Sequence, residues 1–148
     1  MKKLALLIAT LFMSATCFAQ MVSFTDFCYY DSSANTIETH SCQKIISRLQ
    51  NRGFSIIDSD STYDPDYGYY KTYVLYHRSS NIRVYLSSDG PDSITFNSSN
   101  DAAAFISLAV EMGYLSWVDG KYRVTRDQEF GVCAVTLSGN SIIFDLYV

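Results

Sequence analysis

Apolar residues recur at Cys42, Ile45, Ile46 and Leu49 and again at Ala102, Phe105, Ile106 and Ala109. Both sets have the i, i+3, i+4, i+7 spacing that lays one apolar stripe along a helix. Gly53 follows the first set and Gly113 the second; glycine closes a helix because it takes the left-handed conformation without steric cost. Strand-like alternation comes next, with Ile82, Val84 and Leu86 answering to Ile142, Phe144 and Leu146. The pattern of Ser41 to Ser87 thus returns from Asp101 to Tyr147, sixty positions later and without a gap. It predicts one α+β domain over residues 20–148, made of two tandem helix-plus-antiparallel-hairpin repeats, about 37–88 and 97–148, sharing one core.

Within that frame, Thr39 or Ser41 caps the first helix and Ser98 to Asp101 the second. The second helix adds Ala103, Leu108, Val110 and Met112 to its stripe, which predicts that it is the more buried of the two. Asp58 to Gly68 holds four aspartates, Pro65 and Gly68 and reads as a loop. Tyr69 to His77 and Ile82 to Leu86 read as a hairpin, Asp89 to Asp92 as a turn, and Ser93 to Phe96 as an edge or bridging strand. Asp119-Gly120 is the strongest hairpin signal, since a type I′ turn needs positive φ at both central residues. Ser138-Gly139-Asn140 marks a further hairpin, and Gln20 to Thr39 reads as a short helix or an extended arm over the core.

Lys2 and Lys3, the apolar run Leu4 to Met13 and the small residues ending Cys17-Phe18-Ala19 have the three-part layout of a bacterial secretory signal, with cleavage expected after Ala19. A lipid anchor on Cys17 is the rival reading, but Thr16 and Ser14 stand where a lipobox has a small residue and leucine. The run is too short for a membrane span. The expectation is a periplasmic or secreted protein.

Removing residues 1–19 takes the formal charge from -4 to about -6. The remaining Lys and Arg are scattered among acids, which disfavours nucleic acid, whose binding needs clustered bases. Three cysteines remain in a compartment that permits disulfides. Two readings stand: a Cys28–Cys42 bridge stapling the N-terminal arm to the first helix, with Cys133 a free thiol, or three buried thiols.

His40 and His77 are the only histidines, and no zinc spacing, nucleophile elbow or phosphate loop is present. No cofactor is expected. Counting an EF-hand from Asp58 puts Tyr63 and Tyr69 where glycine and glutamate are needed, so that calcium motif fails. A nucleophile formed by Cys133 or Cys42 with His77 is the enzymatic alternative. The unusual residue is tyrosine: Tyr63, Tyr67, Tyr69, Tyr70, Tyr73 and Tyr76 crowd one stretch and occupy both strand parities, so some face solvent. Tyrosines concentrate in binding surfaces, and a set among carboxylates suits a basic partner. The candidate binding residues are Tyr63, Asp64, Asp66, Tyr67 and Tyr69.

The paired stripes and strands, with Gly53 and Gly113 at equivalent places, resemble in topology the β-lactamase inhibitor protein family and related periplasmic helix/sheet modules. The resemblance covers both repeats. It implies a protein-binding module that presents a sheet face and catalyses nothing, although the family's disulfides have no counterpart in these cysteines. The leading expectation is therefore an exported, non-enzymatic, inhibitor-like module whose partner is another exported or cell-surface protein. The alternatives are a small thiol-dependent enzyme and a glycan- or peptide-binding module.

Overall fold

A computed structural model of the chain describes residues 21–126 and 129–147. The expected secretory signal, with cleavage after Ala19, falls outside them. Ser23 caps a 3-10 turn, Phe24–Asp26, reciprocally: its side chain accepts the Thr25 N–H while its own N–H donates to Asp26 Oδ2 at 2.9 Å. A two-stranded ribbon follows, β1 (Cys28–Asp31) with β2 (Thr36–Thr39). Helix α1 (Cys42–Asn51) starts where Ser41 Oγ accepts the Lys44 N–H and stops before Gly53 at φ +97.

Strands β3 (Ser55–Asp64), β4 (Gly68–His77), β5 (Ile82–Ser87) and β6 (Gly90–Thr95) then run antiparallel. Helix α2 (Ser99–Glu111), capped by Ser98, leads into β7 (Leu115–Val118), β8 (Lys121–Val124), β9 (Val132–Ser138) and β10 (Ser141–Leu146). These eight strands form one sheet in the order β3-β4-β5-β6-β10-β9-β8-β7.

The sheet corrects the expected fold class. The protein is mostly antiparallel β, and two tandem helix-plus-hairpin units are not evident: a single ladder runs unbroken from β3 to β7. The expectation fails because much of the stretch read as a loop, Asp58 to Gly68, and of the turn at Asp89 to Asp92 is strand, in β3 and β6. Of Asp58 to Gly68, read as a loop, Asp58 to Asp64 lie in β3, which pairs with β4 from Ser55↔Tyr76 to Asp64↔Gly68, and only residues 65–67 form a turn. Ser93 to Phe96, read as an edge or bridging strand, contributes to β6, which bridges β5 on one side and β10 on the other. The second helix is the more buried of the two, with five of its thirteen residues exposed against five of ten in the first, although Leu108 is only half-buried and Val110 and Met112 are exposed.

Cross-strand register explains the core. Leu75, Val84, Ile94 and Ile142 stand in one row across β4, β5, β6 and β10, and all are fully buried. Ile45, Ile46 and Leu49 from α1 and Ala102, Phe105, Ile106 and Ala109 from α2 join the same cluster, so the helical stripes do mark buried faces. Phe105 is its aromatic hub, with ring centroids 6.3 Å from Phe24, 6.3 Å from Phe27 and 5.6 Å from Phe96. Under the N-terminal turn, Asp26 is 1% exposed, accepts a hydrogen bond from Arg52 Nε at 2.9 Å and is ion-paired with Arg48, whose Nε lies 3.4 Å away, tying the turn to α1. The opposite sheet face carries Arg83, Tyr85, Ser93 and Ile143 and has no helix over it among the described residues.

Candidate functional site

Four of the nine rungs between β3 and β4 lie beyond the last rung between β4 and β5. The last β5 partner of β4 is Ser87 opposite Thr72, and two further bonds join Lys71 to Ser88: the Ser88 N–H donates to the Lys71 carbonyl at 2.8 Å and the Lys71 N–H to Ser88 Oγ at 3.1 Å. Past Lys71 the hairpin has no third strand. All ten residues of β3 are exposed, so the arm meets solvent on both faces.

The arm is closed by a tight turn whose chemistry is local. Asp64 Oδ1 accepts the N–H groups of Asp66 at 2.8 Å and Tyr67 at 3.2 Å, and Gly68 takes φ +83 where the strand resumes. That is the three-residue hairpin connection in which an aspartate opens the turn and a left-handed glycine ends it. Asp64, a candidate binding residue, thus spends one carboxylate oxygen holding the turn. Asp66 is exposed at the tip.

Tyr63 and Tyr69 stand opposite each other across the ladder, rings edge to face with centroids 5.1 Å apart, a favourable cross-strand aromatic pair. They are nonetheless 62% and 72% exposed, and Tyr67 at the tip is 90% exposed. Alternation along the two strands separates two chemistries. Tyr63, Tyr69, Lys71 and Tyr73 share the face that leads into the core side at Leu75. Asp58, Asp60, Thr62, Tyr70 and Thr72 share the other. A groove of about 410 Å³ runs past Tyr67, Gly68, Tyr69 and Tyr70 to Ser88 and Asp89.

The structure therefore brings Tyr63, Asp64, Asp66, Tyr67 and Tyr69 together at one end of one element. Asp58 and Asp60, from the same acidic, tyrosine-rich stretch, lie on this arm too, as strand residues rather than loop. Their signal was present, because Asp58, Asp60 and Thr62 alternate with Ser59, Ser61 and Tyr63 at strand period. A separate hollow of about 580 Å³, lined by Tyr30, Ile37, Met112, Tyr114 and Arg126, lies where α2 ends against the ribbon.

The thiols stand apart from this arm. Cys28 and Cys42 are both free, which corrects the bridge between them. Cys28 is buried on β1, its sulfur 3.9 Å from Thr39 Oγ1, whereas Cys42 begins α1 and is half-buried. Burial pushes the Cys28 thiol up to about 12, against which the Thr39 hydrogen bond pulls only weakly, and burial followed by the Asp92 charge raises Cys42. A nucleophilic cysteine needs the reverse shift. Cys133 donates to the Asp145 carbonyl at 3.2 Å. His77 is buried beside Phe54, with Nδ1 taking the Ser80 N–H at 3.3 Å, so the reading that pairs it with a cysteine gains no geometric support. His40 stacks on Tyr29, and burial lowers its pKa.

Among the described residues no three His, Cys, Asp or Glu side chains group as a metal site, and no helix is long and apolar enough to cross a membrane. No protein-family model, curated protein or solved structure matches the chain, so its own geometry carries the functional reading.

Proposed function

We propose that this protein is an exported binding module that recognises another protein through the β3–β4 arm and catalyses no reaction. One observation carries the reading: three tyrosines at the end of a hydrogen-bonded hairpin are held largely in water, where they contribute little to the core. Large, rigid rings with polar tips supply contact area at low entropic cost, which is why they gather in protein-binding surfaces. The scaffold beneath is a packed eight-stranded sheet, so the rings are presented from a fixed base. Asp58, Asp60 and Asp66 beside them suit a partner with basic groups and speed its approach. The raised thiols of Cys28 and Cys42 support binding over thiol chemistry.

The test replaces Tyr63, Tyr67 and Tyr69 together with alanine and compares wild type and variant as baits for exported and cell-surface proteins. Thermal unfolding should change little, since none of the three side chains is buried. Binding to a captured partner should weaken by about tenfold or more, which is about 1.4 kcal/mol. A variant that melts with the wild type and holds the partner equally well sends the surface elsewhere; one that unfolds makes these rings core.

A further inference from the structure

The arm also exposes backbone, and its direction can be read. The Ser61 N–H is taken by the neighbouring Asp60 Oδ1 at 2.8 Å. Opposite Ser61 stands Lys71, whose own N–H and carbonyl turn away to Ser88, at 3.1 and 2.8 Å. The Ser61–Lys71 pair is therefore of the open kind that exchanges no ladder bonds, and the alternation of an antiparallel pair aims the amides of Ser59 and Tyr63 outward as well. Strand β3 is the terminal strand of the sheet. Three successive rungs, at Ser59, Ser61 and Tyr63, thus face away from β4 toward another strand, the Ser61 N–H being held meanwhile by the Asp60 side chain.

We infer that the β3 edge binds an extended, basic segment of a partner protein by strand addition, with Lys or Arg at every second position. This rests on the reading of the arm as the binding site and specifies the partner's chemistry. The uncovered face of β3 sets the preference: Asp58, Asp60 and Thr62 project to one side of the ladder. An incoming strand that pairs with β3 lays its alternate side chains beside them, where opposite charges stabilise and like charges destabilise. The residues between would lie over Ser59, Ser61 and the Tyr63 ring, which suits small or apolar side chains.

The same charges exclude a second copy of this chain. Two β3 edges paired antiparallel would share one ladder between both sets of Asp58 and Asp60, and inward-facing like charge is how edges resist self-pairing. The bulge between Ile56 and Asp58 limits the usable edge to the distal part of the strand. Main-chain bonds supply affinity and the alternate side chains supply register, as in other edge-strand recognition.

The probe is a capped peptide of alternating lysine and valine, compared with the same composition shuffled and with glutamate replacing lysine, titrated into isotope-labelled protein. Hydrogen exchange should slow by about tenfold or more at the Ser59, Ser61 and Tyr63 amides, with the alternating lysine peptide alone. Ser61→Pro removes an outward donor that β4 does not use, a substitution that edge strands tolerate; melting should hold while peptide affinity falls by about tenfold or more. The pair Asp58→Asn and Asp60→Asn should weaken the peptide and flatten its salt dependence. Equal binding of the shuffled peptide, unchanged affinity in Ser61→Pro, or protection of these amides by self-association without peptide overturns the inference. If Ser61→Pro still holds a partner that the triple tyrosine variant loses, the arm binds through side chains: strand addition is then wrong and the proposed function stands.

Discussion

Thr39 and Gly131 are locked together: the Thr39 hydroxyl accepts the Val132 N–H at 2.9 Å, and a Cβ placed on Gly131 would lie 2.3 Å from that same oxygen. The contact ties the end of the ribbon to the start of β9. Gly131 also takes φ +71, so alanine there meets both backbone strain and a clash. Gly131→Ala should cost at least about 2 kcal/mol in urea unfolding. Gly139, at φ +59 with open space around it, should lose only about 1 kcal/mol on the same change. Equal costs would show that the Thr39 contact yields freely.

Phe105 joins α2 to the 3-10 turn, to Phe27 just before the ribbon, and to Phe96 after β6, and it is 1% exposed. Phe105→Ala should cost about 3–5 kcal/mol by chemical denaturation. A loss under about 1 kcal/mol would mean that the core collapses onto the space.

The Cys28 thiol supplies a pH test. Its folded pKa of about 12 lies above the unfolded value of 9.0, so the folded state keeps a proton that the unfolded state releases. The contribution is fully present below pH 9.0 and is lost as pH rises toward 12. Between pH 8 and 10 the wild type should lose about 1.4 kcal/mol more than Cys28→Ala, the variant controlling for other alkaline titrations. Parallel stability curves for the two proteins would refute burial as the cause.

Asp64 and Asp66 sit two residues apart and should behave differently. Asp64→Ala removes the acceptor of two turn amides and should lower arm stability by about 1 kcal/mol, read as faster amide exchange along β3. Asp66→Ala should leave that exchange unchanged and affect only partner binding.

Legibility followed the source of each element's stability. The stripes of Ile45, Ile46 and Leu49 and of Ala102, Phe105 and Ile106 were readable because helix and burial share one period. Asp119-Gly120 was readable because the turn chemistry is local, and both residues do take positive φ, +51 and +78. Strand β3 was not, because serine, threonine and aspartate favour turns and its ladder is supplied by β4. Gly90-Pro91 likewise suggested a turn, yet both are buried where β6 begins between β5 and the C-terminal strands. The exposure of the tyrosines could be inferred from their double parity; the projection of the arm that carries them depends on where β5 stops.

The seam between β6 and β10 has a kinetic consequence. Among the described residues three register pairs, Ser141↔Thr95, Ile142↔Ile94 and Ile143↔Ser93, join the strands before α2 to those after it. Thr95 and Ser141 are 46 residues apart. Closing that span costs chain entropy before any contact repays it, so folding should be slow relative to a helical protein of this size. During synthesis, β6 must wait with its inner edge unpaired until β10 emerges, so the eight-stranded sheet is joined only when β10 docks.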